Sequence, residues 1–280
     1  VNLVQRVAST DSTAGIETHN LSVLVTRPAP HAEVWAEALR AVGVRAHALP
    51  LLSIAPVPDS SAVHAAWQGL AARDLVVFVS PSAIQQFFAA GQGLAWPPTT
   101  LAACTGPGSA AQLLALGVPA AQILSPASDA AQFDSEALWN QLAPRNWASR
   151  SVLVVRGEAG REWLADTLAD AGARVDFLQA YVRAPAVLTS HEREVFALAL
   201  AHPHAHVWLL SSSEAVTAAS SIAGTAQWAS AQALATHPRI AQTARALGWG
   251  FVEVCRPEVP EVVRCVQSIS KKTTILHPAP

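Results

Sequence analysis

Leu24-Val25-Thr26-Arg27 returns 129 residues later as Leu153-Val154-Val155-Arg156. The stretch behind each copy agrees at the same offset. Val34, Trp35, Ala38, Leu39, Val42 and Gly43 answer to Trp163, Leu164, Thr167, Leu168, Ala171 and Gly172. A second block, Phe78-Val79-Ser80-Pro81-Ser82-Ala83-Ile84, is echoed by Leu210-Ser211-Ser212-Ser213-Glu214-Ala215-Val216 at an offset of 132. A third, Gly106-Pro107 with Leu116-Gly117, is echoed by His237-Pro238 with Leu247-Gly248 at an offset of 131. Solenoid repeats recur every ~20–50 residues. A period this long implies two similar α/β domains instead, with the cleft between them as the expected place for function.

Working outward, residues 21–26 form a short apolar run closed by Arg27-Pro28, the pattern of a buried parallel strand. Residues 31–42 carry apolar side chains at helical spacing, and Gly43 stops them as a C-terminal cap. Residues 44–57 are too long for one ordinary strand and contain Pro50 and Pro56. They read as a strand that leaves one domain and becomes a connector, and 173–185 mirror them on the way back. Between the two, strands alternate with helices, and the alternation resumes after 185. Such alternation predicts parallel sheets covered by helices. The expectation is an α/β chain of two similar three-layer, parallel-sheet domains joined by a two-stranded β connector. Domain one is discontinuous (1–50 and 184–280), domain two spans 57–175, and the connectors are 51–56 and 176–183. Residues 270–280 read as a loose tail.

Hydrophobic residues make up 51% of the 280 and charged ones 14%, so two cores can be filled and wholesale disorder is excluded. A net charge of −2 argues against a nucleic-acid surface built on bulk positive charge. No apolar run approaches the ~18–20 residues of a membrane span. Residues 1–20 hold no sustained apolar segment of the kind an export signal needs. Methionine is absent, at odds with an unprocessed initiator. Cys104, Cys255 and Cys265 have no CxxC spacing and read as core thiols of a reducing compartment. The histidines form no HExxH pair, so no metal site is expected.

Ligands of open parallel sheets bind beyond the carboxyl ends of the strands. The polar residues of the repeats fall there: Thr26 and Arg27, Ser80 and Ser82, Thr105 through Gly106, Gly108 and Ser109, Arg156, Ser211 to Ser213, and His237 to Arg239. Several stand just before a helix, where backbone N–H groups and the dipole favour an anion. Each by itself is better explained as a cap. Six such turns in two repeated domains favour a ligand with several anionic groups. Thr105-Gly106-Pro107-Gly108-Ser109-Ala110 lacks GxGxxG, no GxxxxGK[ST] occurs, and no GxSxG surrounds Ser80 or Ser212. Tyr181, the one tyrosine, lies on the return connector. It is either a packing residue or a phenol placed to give a proton or a hydrogen bond to a leaving oxygen. Arg183 nearby either holds a carboxylate or is a solvated strand charge. The tryptophans read as core packing and domain contacts, with Trp35 and Trp163 on buried helix faces.

In order and spacing, several motifs together resemble the uroporphyrinogen-III synthase family. They are VLVTRP (23–28), LPLLSIAPV (49–57), VVFVSPSAI (76–84), TGPGSA (105–110), VLVVRGEAGR (152–161) and QAYVRAP (179–185). The resemblance runs from about residue 21 to about residue 268. It implies cyclisation of the linear tetrapyrrole hydroxymethylbilane to uroporphyrinogen III, with inversion of ring D and loss of water. It implies no metal and no organic cofactor. The core thiols and the missing apolar segments lead to the expectation of a cytoplasmic protein with no membrane partner, the net charge to that of no nucleic-acid partner, and the lack of a heptad run to that of a monomer. The family's account begins with departure of the hydroxyl to an azafulvene cation. A spiro intermediate then forms, fragments and recloses. By residue, the family's tyrosine falls on Tyr181 as proton donor, its threonine loop on Gly106 to Ala110 with Ser109 at the hydroxyl position, and its strand-end serines on Ser80 and Ser212. Where a Gly-Pro-x-Thr sequence is expected, this chain has His237-Pro238-Arg239-Ile240, so Arg239 or His237 would have to meet the carboxylate there. The competing readings are a two-lobed solute-binding protein and a fold relative that regulates without catalysis.

Overall fold

The computed structural model describes residues 21–91, 93–158, 160–224 and 228–276. The chain divides into two compact units. Among the described residues, one is Ile54–Arg183; the other joins residues 21–53 with residues 184–276.

The discontinuous unit is built on β1 (Ser22–Val25), β2 (Arg45–Ala48), β10 (His206–Leu210), β11 (Gln232–Ala235) and β12 (Phe251–Val254), in the order β12-β11-β10-β1-β2 with every neighbouring pair parallel. The inserted unit is built on β4 (Leu75–Phe78), β5 (Leu101–Cys104), β6 (Ile123–Leu124), β7 (Ser151–Arg156) and β8 (Arg174–Gln179), in the order β6-β5-β4-β7-β8, again all parallel. The two orders are the same once the repeat offsets are applied. So is the register: Val23 opposite Val207 corresponds to Val152 opposite Leu75, and Ser22 opposite Arg45 to Ser151 opposite Arg174. The sequence repeat is thus a repeat of hydrogen-bonding geometry, not only of composition.

Side chains alternate across a strand, so each sheet has two faces to cover. In the discontinuous unit Leu24, Trp208, Leu210, Ala233 and Ala235 face one core. They meet Val195, Phe196 and Ala199 of α7 (Ser190–Ala201), Ala215 and Val216 of α8 (Ser213–Ala223), and Ile240 and Ala241 of α9 (Pro238–Ala246). Val23, Val25, Val207 and Leu209 face the other core, under α1 (His31–Ala41) and α10 (Val259–Leu276). The inserted unit follows suit. Val76, Phe78, Leu153 and Val155 lie under α2 (Ser61–Gln68), α3 (Pro81–Ala90) and α4 (Pro107–Ala115), and Leu75, Val77, Val152 and Val154 under α5 (Ser135–Leu142) and α6 (Trp163–Asp170). Each fully buried side chain of this kind contributes about 1.5–3 kcal/mol. Trp228 and Trp249 stack at 4.1 Å in one core; Trp67, Phe78, Phe87, Phe88 and Trp96 cluster in the other. Trp35 and Trp163 are only half-buried, each packed at a core margin with an arginine over its ring. The glycines that recur in the repeat, Gly43 with Gly172 and Gly117 with Gly248, all have φ between 82° and 93° just beyond a helix, the left-handed conformation a side chain resists.

The connectors differ from the long strands expected. Each breaks in two. β2 completes its own sheet, Leu49-Pro50-Leu51 turns, and β3 (Leu52–Pro56) starts afresh; β8 ends at Gln179, and β9 (Tyr181–Pro185) follows after Ala180. Residues 176–179, expected in the connector, therefore belong to the inserted sheet. β3 and β9 form a separate two-stranded sheet, with Ala186 N donating to Leu51 O and Ser53 Oγ to Ala184 O. The expected tail at 270–280 is corrected in part. α10 runs to Leu276, with Val262, Val266 and Ile269 on the core along its first part; residues 277–280 lie outside the described residues.

Candidate functional site

In each unit the three central strands bring their carboxyl ends together. In the inserted unit β5, β4 and β7 are neighbours, so the turns carrying Gly106, Ser80 and Arg156 are adjacent. In the other, β11, β10 and β1 set the turns of His237, Ser212 and Arg27 side by side. Every one of these turns leads toward a helix.

The expected serines are caps, in duplicate. Ser80 Oγ accepts from Ala83 N at 3.1 Å at the start of α3, and Ser212 Oγ accepts from Ala215 N at 3.1 Å at the start of α8. Capping uses a lone pair and leaves the hydroxyl proton free. Ser82 and Ser109 are buried in the first turns of α3 and α4. Gly106 is the residue before α4, and Gly108 has open space where a side chain would stand. Ser213 Oγ bonds the Thr243 hydroxyl at 3.0 Å. It also borders a groove of about 640 Å³ lined by Leu52, Pro185 and the Glu214, Thr217 and Ser221 side of α8. The divergent loop keeps its cap by other means: His237 Nδ1 accepts from the Arg239 N–H at 3.1 Å, and Arg239 itself is exposed. An imidazole nitrogen thus does there what a serine oxygen does at Ser80 and Ser212.

Tyr181 joins two of the candidate polar side chains of the inserted unit. Its ring is wholly covered within that unit's core cluster. The phenol oxygen accepts from Arg183 Nη2 at 2.7 Å and shares a hydrogen bond with Ser80 Oγ at 3.1 Å. Tyr181 and Arg183 are two apart on β9, hence on one face, and the guanidinium carbon lies 5.3 Å from the ring centre. Gly157, directly after β7, closes the other side. A Cβ there would stand 2.9 Å from Tyr181 Cε2, so the glycine is required by space, not by backbone angle. Arginine can only donate, so the phenol oxygen spends a lone pair on Arg183 and directs its one proton elsewhere. Ser80 and Arg183 are half-buried, whereas Tyr181 is not exposed at all.

The two strand-end arginines part company. Arg156 is neutralised by Glu162 at 2.9 Å and lies over the Phe177 ring at 4.1 Å. Arg27 lies over Trp35 at 4.5 Å, its Nε covered without a partner, and burial pulls its guanidinium down to about 10, with Cys255 acting the other way. Thr26, expected among the polar turn residues, is fixed by donating to Leu209 O at 2.8 Å. The three thiols are buried and free. Sequence reasoning did not single out Gly157 or Glu162. The first had a signal, a glycine straight after a strand-end arginine; so had the second, a glutamate that Glu33 matches at the repeat offset of 129.

Architecture and turns together define a two-domain α/β protein of repeated, doubly covered parallel sheets, with its polar turns gathered at strand carboxyl ends. The family model described as uroporphyrinogen-III synthase HemD (HEM4) matches residues 33–267. The chain is 29% identical to uroporphyrinogen-III synthase of Salmonella typhimurium over 258 residues, covering 84% of this chain and 94% of that one. It is 31% identical to uroporphyrinogen-III synthase of Escherichia coli over 167 residues, covering 58% of this chain and 65% of that one. Among solved structures, a mutant uroporphyrinogen III synthase from the extreme thermophile Thermus thermophilus aligns with a TM-score of 0.56 at 17% identity, over 92% of this chain and 100% of that one, a likeness of fold. The chain belongs to the uroporphyrinogen-III synthase family.

Proposed function

We propose that this chain closes hydroxymethylbilane to uroporphyrinogen III, inverting ring D and releasing water. Family membership across most of the chain carries the reaction class. The observation that carries the chemistry is the Arg183–Tyr181–Ser80 chain of hydrogen bonds at a strand carboxyl end.

The first step breaks the bond from carbon to the terminal hydroxyl, which must leave as water. Tyr181 is covered, so Ser80 is the group that meets the departing oxygen. In this reading the phenol, whose oxygen already accepts from Arg183, donates to Ser80 Oγ, which also accepts from Ala83 N and keeps its own proton for the departing oxygen. As Ser80 gives that proton to the leaving hydroxyl it takes the phenol's, and the phenolate so formed faces the Arg183 guanidinium. The substrate is left as the azafulvene cation. After spiro closure, fragmentation and reclosure, the ring system regains aromaticity by losing one proton, which restores Tyr181 through the same path. The turns at Gly106, Gly108, Ser109, Ser212, Ser213, His237 and Arg239 serve the substrate's carboxylates, and holding the chain ends in register supplies much of the rate. Arg156, held by Glu162, does not take part. The reaction runs in the cytoplasm on a monomer, without metal, cofactor, nucleic acid or membrane. No helix among the described residues is long and apolar enough to cross a membrane.

The test is to add the protein to hydroxymethylbilane and resolve the porphyrin isomers after oxidation. Type III is expected; type I alone would reject the proposal in favour of a non-catalytic relative.

A further inference from the structure

Arg27 and Arg156 occupy the same place in the two repeats, at the carboxyl end of a central strand, with the guanidinium over an aromatic ring. They differ in what neutralises them. Arg156 has the Glu162 carboxylate at 2.9 Å, at the very start of α6. The repeat places Glu33 where Glu162 stands, but Glu33 is engaged by Arg40 instead. Arg27 is therefore left with no carboxylate among the described residues, and its Nε is covered and unbonded. His31, one turn on, repeats the pattern: Nε2 is covered without a partner, and burial first and Arg27 second hold the ring's proton affinity below its ordinary value. Even so, Arg27 stays cationic at neutral pH. A half-buried cation whose Nε is covered and which has no counter-charge carries a desolvation cost, and the Trp35 ring offsets part of it. α1 begins here without a side-chain cap, and its positive end adds to the pull on an anion.

We propose that Arg27, with His31, is the seat of one carboxylate of the acidic ligand, filling the place that Glu162 fills on Arg156. The Glu162 contact thus shows in one repeat, within the chain itself, the pairing that the ligand makes in the other. The planar guanidinium suits a carboxylate in a two-point grip through its two terminal nitrogens, and His31 stands beside it at the start of α1. Because Arg156 is already satisfied, only one of the paired arginines reads the ligand, and the repeat becomes functionally asymmetric. The assignment rests on the synthase reading for the ligand's identity and on this geometry for its chemistry.

Two measurements on Arg27→Gln and Arg27→Lys test it. The first is thermal unfolding without ligand. Arg27→Gln is expected to melt at or above the wild-type temperature, because it removes an uncompensated charge, whereas an arginine serving structure alone would lower it. The second is a fluorescence titration with uroporphyrin III, an octacarboxylate, at fixed ionic strength. Arg27→Gln is expected to bind at least about tenfold more weakly, and Arg27→Lys to fall between, keeping charge but losing the fork. Affinity within about twofold of wild type for Arg27→Gln would overturn the seat, as would a wild type indifferent to uroporphyrin III. A wild type that binds uroporphyrin III yet leaves hydroxymethylbilane to type I would remove the synthase reading and leave the seat standing.

Discussion

Changing Tyr181 to Phe deletes one oxygen and leaves the ring where it packs. That oxygen holds Arg183 at 2.7 Å and Ser80 at 3.1 Å. A hydrogen bond to a charged group contributes about 1.5–3 kcal/mol, and leaving a buried partner unpaired exposes its full desolvation cost. Arg183 and Ser80 are both half-buried, so water replaces much of what is lost, and a net cost of about 1 kcal/mol is expected. In units of this size that lowers the melting temperature by about 2–8 °C. The effect on turnover is larger. Loss of a positioned proton donor removes about 100- to 10,000-fold in rate, and the lower end applies because Ser80 and its own proton survive. KM is expected to stay within about threefold, since a covered phenol makes no contact with bound substrate. Stopped-time assays of type III product at several concentrations of hydroxymethylbilane separate kcat from KM. A Tyr181→Phe variant with full kcat and a lowered melting temperature would refute the reasoning and reduce the phenol to a packing group.

Ser80→Ala and Asp134→Ala each remove the side-chain cap of a helix in the inserted unit, since Asp134 Oδ1 accepts from Ala137 N at 2.9 Å. Both are expected to lose about 0.5–2 kcal/mol in denaturant unfolding. Only Ser80→Ala should also lose type III turnover; equal turnover in the two variants would remove Ser80 from the proton path. Asp74 supplies an acid-sensitive tie between strands: the Ser151 N–H at 2.8 Å holds its carboxyl below the ordinary range, against a smaller effect of burial and with help from Arg150. A carboxyl whose value is lowered by folding adds stability above its unfolded value, and that stability is lost as pH falls through the lower folded one. Asp74→Asn is therefore expected to flatten the decline in melting temperature below about pH 4. A profile parallel to wild type would show the tie to be inert.

The layered fold was legible because its signals are local and doubled. Leu24-Val25-Thr26-Arg27 and its echo announce buried strands, and Gly43 with Gly172 marks helix ends that need a left-handed residue. The connectors were legible only as long extended stretches. Nothing in 173–185 says that the chain hydrogen-bonds through Gln179 to one sheet and starts another at Tyr181, because strand partners are chosen by distant residues. The same holds for the site. Ser80 was marked as a strand-end serine and Tyr181 as a lone phenol, but their bond spans 101 positions, and Gly157 is needed only because that ring lies against it.

What the order of residues determined by itself was a duplicated architecture, since apolar periodicity and glycine placement act over a few neighbours and survive duplication. What tertiary structure alone decided was how each copy spends its charges and hydroxyls. Glu162 turns toward Arg156 while Glu33 turns toward Arg40, and that difference leaves Arg27 without a counter-charge among the described residues. The reason is physical: burial and pairing depend on which groups the packed sheets bring within a few ångströms, and no local pattern in the chain encodes that distance.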